Sequence, residues 1–135
     1  MIRIMSDNDV RGHVGRLLEV CRTSPWDEIW TDLGVEVCTF ADLGLSEDAD
    51  DAAVWHACQR NEIVLITGNR NADGPTSLEL TIRNESTAQC LPVLTIADRG
   101  RLARDREYAE SVLERLLEVL IDLEALRGAG RLFLP

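Results

Sequence analysis

The sequence predicts an α/β fold, a three-layer α/β/α sandwich with a parallel central sheet of four to five strands, in a single domain over residues 1–135. Three observations predict it. The unbroken run Ile63-Val64-Leu65-Ile66-Thr67 lacks the alternation of a half-exposed strand and reads as a strand covered on both faces. Other short apolar runs alternate with segments of helical length, the pattern of parallel strands joined by crossover helices. At 135 residues the chain can bury a real core without metal or disulfide support.

The elements follow in order. Residues 2–5 read as the first strand, since the apolar start Met1-Ile2-Arg3-Ile4-Met5 is too short for a signal peptide. The strand ends at Ser6-Asp7-Asn8-Asp9, residue types that cap helices. Residues 10–21 place Val14, Leu17, Leu18 and Cys21 on one helical face, and Thr23-Ser24-Pro25 breaks the helix. Trp26, Ile29, Trp30 and Leu33 recur at helical spacing, so a short second helix is expected, ended by Gly34. Residues 35–40 form a strand, and the acidic run 46–51 precedes a helix over 51–61 with Val54, Ala57 and Cys58 inward. Acids at a helix start suit its dipole.

After the strand at 63–67, Gly68 and the asparagines release the chain from the sheet, because both tolerate turn conformations. A helix over 76–84, a strand over 92–97, a charged connection over 98–104, a long helix over 105–126 and a last strand over 131–134 complete the chain. In the long helix Val112, Leu113, Leu116, Leu117, Val119, Leu120, Ile121 and Leu123 cover more than one apolar stripe. That breadth has two readings, a helix packed on both the sheet and a neighbouring helix, or a homodimer interface.

Charge narrows the function classes. The formal net charge is -10, and all 14 basic residues are arginine. The overall field opposes non-specific binding to a polyanion, which needs clustered basic charge. Arginine forks still suit a local phosphate contact, and the excess acid attracts metal ions or a basic partner protein. The four cysteines, Cys21, Cys38, Cys58 and Cys90, form no C-x-x-C pair, and His13 and His56 are not at zinc-site spacing. They are expected reduced and buried, as in a cytoplasmic protein. No apolar run approaches the ~18 residues of a membrane span.

In open α/β folds, ligand chemistry sits outside the carboxyl ends of the strands. Asp7 follows the first strand, Asn69, Asn71 and Asp73 follow the third, Asp98 follows the fourth, and Asp50 and Asp51 start the helix feeding the third. Asp7, Asp73 and Asp98 are therefore expected to meet at one sheet edge, with Asp50 or Asp51 above them. Clustered carboxylates raise one another's pKa unless a cation neutralises them, and Mg²⁺ or Mn²⁺ suits such oxygen ligands. Taken singly, Asp7 reads equally as a helix cap, and Asp51 reads more readily as a helix-start residue than as a ligand. Neither G-x-G-x-x-G after the first strand nor a Walker-type glycine-lysine loop is present, which weakens a nucleotide-binding reading.

Four pieces in this order resemble a PIN-like domain, specifically the toxin-like group labelled DUF5615. They are Ser6-Asp7-Asn8-Asp9, then Gly34-Val35-Glu36-Val37 leading to Asp42-Leu43-Gly44-Leu45, then Asp51-Ala52-Ala53-Val54-Trp55, and finally Ile63-Val64-Leu65-Ile66-Thr67-Gly68-Asn69. The likeness covers roughly residues 2–100. It implies a compact parallel-sheet fold, divalent-metal-dependent ribonuclease chemistry on an RNA substrate, and a small antitoxin-like protein partner. Carried over, Asp7 and Asp51 become metal-binding acids, with Asp50 the near alternative to Asp51.

The chain departs from the family at the third position. The family pattern Thr-x-Asp-x-Asp reads here Thr67-Gly68-Asn69-Arg70-Asn71. An amide oxygen ligates without charge and cannot serve as a base. Asp73 and Asp98 are the expected substitutes. The resulting expectation is Asp7, Asp51 and Asp73 as catalytic acids, Asp7, Asp51 and Asp98 as metal ligands, and Arg70, Asn69 and Asn71 toward the substrate. A metal-activated water would be the nucleophile. The competing expectation is a PIN-like scaffold that has lost catalysis and works as a protein-binding module.

Overall fold

The computed structural model describes residues 2–135, so the expectation for Met1 lies outside it. Five parallel strands, β1 (Ile2–Ser6), β2 (Val35–Cys38), β3 (Ile63–Thr67), β4 (Val93–Ile96) and β5 (Arg131–Leu134), form one sheet in the order β2-β1-β3-β4-β5. Six α-helices connect them: α1 (Arg11–Cys21), α2 (Trp26–Leu33), α3 (Asp51–Arg60), α4 (Leu78–Glu85), α5 (Arg99–Arg104) and α6 (Arg106–Ile121). The fold is the expected α/β sandwich with an all-parallel sheet.

Side-chain alternation along the strands divides the core. Ile4, Val64, Ile66, Leu94 and Ile96 pack with α1, α5 and α6 on one face, including Leu17, Leu102, Leu113 and Leu120. Met5, Ile63, Leu65 and Val93 pack with α3 and α4 on the other, including Val54, Trp55, Leu78 and Ile82. All five residues of β3 are buried, as its unalternating composition requires. Burying a Leu- or Ile-sized side chain is worth about 1.5–3 kcal/mol, so these two layers are the main source of stability.

Local chemistry sets the helix starts. Asp50 accepts from the Ala53 backbone N–H, Ser77 from Leu80, Asp98 from Arg101 and Asp105 from Tyr108, each satisfying a donor that the first turn leaves free. The Ser77 cap delays α4 to Leu78. The Asp98 cap, with Leu102 fully buried, makes a helix of Arg99–Arg104 within the charged connection over 98–104. Gly34 closes α2 in the left-handed region at φ 64°. Of the broad apolar surface of α6, Val112, Leu113, Leu116, Leu117, Val119 and Leu120 are buried within the chain, while Ile121 is 60% exposed. Packing against the sheet and neighbouring helices therefore accounts for most of that breadth. The long helix ends at Ile121, and a 3-10 turn over Leu123–Leu126 follows.

Topology positions the site. From β1 the chain steps outward to β2, then returns across β1 to β3, and it continues outward to β4 and β5. The reversal leaves a crevice at the carboxyl ends of β1 and β3, the place where open α/β sheets bind ligands.

Candidate functional site

The crevice is a cleft of about 450 Å³ lined by Asp7, Asn8, Asp9, Ala49, Asp51, Gly68, Asn69, Arg70, Asn71 and Arg99. Residues just after β1, the start of α3, the β3 loop and the start of α5 thus meet in one place. Asp7 leaves β1 with its backbone N–H bonded to the Ile66 carbonyl of β3 at 2.8 Å, which joins the two strand ends. Its carboxylate accepts from the Asn8 backbone N–H at 2.8 Å and from the Thr67 hydroxyl at 2.9 Å. Burial pushes the Asp7 carboxyl above its usual range, and the like charges of Asp9 and Asp51 push the same way, against the Thr67 and Asn8 bonds. Burial likewise pushes the Cys58 thiol up to about 12, with a contribution from the Asp7 charge, so it is an inert core group.

Asp51 opens α3, and its Oδ2 accepts from the Leu78 backbone N–H at 3.1 Å and from the Asn69 amide nitrogen at 2.9 Å. The orientation of that amide is fixed by its other end, since Asn69 Oδ1 accepts from the Asn71 backbone N–H at 2.8 Å. Asn69 therefore presents an N–H donor to Asp51 where a metal ligand would present an oxygen. Asn71 repeats the turn, its Oδ1 accepting from the Asp73 backbone N–H at 2.9 Å. Both asparagines shape the loop by bonding the backbone two residues on.

Sequence reasoning missed Asp9 and Arg99. Asp9 accepts from the Gly68 backbone N–H at 3.2 Å and pairs with the Arg99 guanidinium at 3.2 Å. Asp9 stands in an Asp-x-Asp pair with Asp7, a signal that the helix-capping reading absorbed. Arg99 covers Gly68 so closely that a Cβ there would lie 2.7 Å from Arg99 Cδ.

The structure brings Asp7, Asp51, Asn69, Asn71 and Arg70 to the cleft and leaves Asp73 and Asp98 outside its lining. Asp98 turns its carboxylate back to cap α5 through the Arg101 N–H at 3.0 Å. Asp73 lies exposed beyond two successive asparagine turns, which carry it away from the end of β3. Asp50, the alternative to Asp51, is occupied as the α3 cap. Arg70 lies at the rim, its guanidinium 5.9 Å from the Phe133 ring centroid and 3.5 Å from the Ala97 carbonyl.

Among the described residues no group of three or more His, Cys, Asp or Glu side chains is arranged to hold a metal ion. The donor chemistry fits a single hard divalent cation resting on Asp7 and Asp51, because Mg²⁺ characteristically takes one or two carboxylates and keeps its waters. It does not fit a second ion, since Asp9 is matched by Arg99 and Asn69 offers hydrogens. No protein-family model matches the chain, and no curated protein and no solved structure shows significant similarity to it.

Proposed function

We propose that the chain is a PIN-like domain whose crevice binds one Mg²⁺ or Mn²⁺ ion and hydrolyses RNA phosphodiesters. The observation that carries the reading is the convergence of Asp7, Asp9 and Asp51 on one cleft at the β1/β3 crevice, where partial burial and the like charges raise the Asp7 carboxyl above its usual range. A divalent cation relieves both strains at once. In this reading Asp7 and Asp51 hold the ion, which would supply water activation and charge stabilisation. Thr67 fixes the Asp7 carboxylate, and Arg70 and Arg99 are the cationic groups on the cleft available to a phosphate.

Calorimetric titration with Mn²⁺, together with cleavage of a labelled RNA, tests this. One binding site, and cleavage lost in both Asp7→Asn and Asp51→Asn, is the expected result. No binding and no metal-dependent cleavage would end the nuclease reading. Cleavage that persists in Asp7→Asn would place the activity elsewhere.

A second reading, a scaffold that acts by protein contacts, is favoured by the way Asn69 and Arg99 already satisfy Asp51 and Asp9. Its surface would be the groove of Trp26, Ile29, Leu117 and Ile121, where Ile29 and Ile121 are exposed. Under either reading we place the protein in the cytoplasm as a homodimer that also takes a small antitoxin-like partner. All four cysteines are free, which suits a reducing compartment. Light scattering checks the dimer, and a monomer mass would remove it. Among the described residues no helix is long and apolar enough to cross a membrane.

A further inference from the structure

The C-terminal strand contributes a buried cation that the cleft does not expose. Arg131 on β5 has a side chain only 8% accessible. Its Nη1 donates to the Thr95 hydroxyl at 2.6 Å and to the Asn69 carbonyl at 2.9 Å. Its Nη2 lies 3.2 Å from a Glu79 carboxylate oxygen on α4, but Nη2 and Nε are buried without a hydrogen-bond partner. Burying a guanidinium that leaves part of its donor set unpaired is unfavourable for folding. A leucine would suit this position between sheet and helix better if packing were all it served.

The register explains the reach. Arg131 pairs with Val93 and Phe133 with Thr95, while Thr95 pairs with Thr67 at the end of β3. The arginine therefore runs toward the carboxyl edge, crosses β4 at Thr95, and grips the first loop residue whose side chain touches Asp51. Asn69 is held at three points: its carbonyl by Arg131, its backbone N–H by Thr67 Oγ1 at 3.0 Å, and its side chain between Asp51 and Asn71. Removing the first leaves Asn69 itself held by Thr67, Asp51 and Asn71, groups that line or adjoin the cleft.

We infer that Arg131 is a positioning residue for the crevice, a cross-brace from an edge strand that sets Asn69 against Asp51. This rests on the crevice being the working site of the chain, but not on the identity of what it binds. The conservative variant separates bracing from bulk structure. In Arg131→Lys the ammonium retains the charge but lies one bond short of Nη1, the single nitrogen that bonds both Thr95 and Asn69, and cannot also face Glu79 as Nη2 does. Arg131→Met, which removes the charge as well, is the harsher comparison.

Amide hydrogen exchange on the full chain, read with thermal unfolding, tests the brace without any activity assay. In Arg131→Lys the β1, β3 and β4 amides should keep parental protection, while the Asn69 and Asn71 amides lose about tenfold or more, the signature of local rather than global opening. Parental protection at Asn69 and Asn71 in the folded lysine variant would overturn the inference. So would a uniform loss across sheet and loop in that variant, which marks a purely structural arginine. Should the parental protein fail to bind Mn²⁺, the nuclease reading falls, while the exchange result still decides the role of Arg131.

Discussion

Asn69→Asp is the sharpest perturbation of the crevice, because it places a carboxylate where an amide now donates to Asp51 at 2.9 Å. Two effects add. The variant loses a hydrogen bond to a charged acceptor, worth about 1.5–3 kcal/mol. It also sets like charges together, which at about 4 Å and an effective dielectric of ~20 repel by about 4 kcal/mol. Rotation of either acid into solvent and uptake of a shared proton limit the sum, so a loss of about 2–4 kcal/mol is expected in chelator. Taking about 4 °C per kcal/mol for a chain of this size, Tm should fall by roughly 8–16 °C. Mn²⁺ at about a hundred times its dissociation constant should restore about 2.7 kcal/mol, since the ion binds only the folded state. Asn69→Ala controls for the lost bonds, because it adds no charge and should gain nothing extra from Mn²⁺. Calorimetric scans of the three proteins in EDTA and in Mn²⁺ decide the matter. A parental Tm for Asn69→Asp in EDTA would show that the amide does not stand in for positive charge at Asp51. A fall that Mn²⁺ does not reverse would show that the crevice cannot take a cation even with the extra acid.

Two further substitutions test neighbouring parts of the same site. Asp7 has a folded pKa raised above 3.8, so the folded state holds its proton more tightly than the unfolded chain, and stability declines as pH rises from 3.8 through the folded value. Asp7→Asn should therefore be more stable than the parent at pH 7, by about 1 kcal/mol as is common when a strained functional group is relieved, and should lose that advantage near pH 3. Urea unfolding at both pH values checks this, and an equal gap at each would contradict it. Gly68→Ala brings a Cβ to 2.7 Å from Arg99 Cδ and 3.1 Å from Asp9 Oδ2. The long arginine should swing aside, breaking a pair that is 46% and 29% exposed, so the loss should stay within about 1 kcal/mol while the Arg99 Nη1–H resonance moves to a solvent-like position. A loss of several kcal/mol would mean that backbone had moved instead.

The legible part of the fold was the part written locally. Ile63–Thr67 announces a doubly covered strand by composition, and Gly34 announces the end of α2 by its conformational freedom. Helix α5 was hidden because Arg99-Gly100-Arg101 is charged and interrupted by glycine, and what makes it a helix is the Asp98 cap together with the burial of one side chain, Leu102. At the site, Asp7 and Asp51 could be placed because each adjoins an element boundary that the pattern marks. Asp98 adjoins one too, yet its carboxylate serves its own helix, a choice that strand position does not encode. The Arg99–Asp9 pair spans 90 positions, and the Arg131–Asn69 contact spans 62. Only the sheet order creates such contacts, and no periodicity reports them.

The charge on the cleft lining bears directly on how many ions the proposed function would allow it. Asp7, Asp9 and Asp51 face Arg70 and Arg99, leaving one net negative charge when all five are ionised. Under the proposed nuclease reading, one divalent ion would turn that into one positive charge, which would favour a phosphodiester against the opposing field of a chain whose formal charge is -10. A second ion would leave three positive charges with no further acid on the lining to hold it. The asparagines at positions 69 and 71 and the Arg99 pairing of Asp9 thus act in the same direction. Each removes negative charge that a two-ion site needs, and the acids that remain suit one ion and one phosphate.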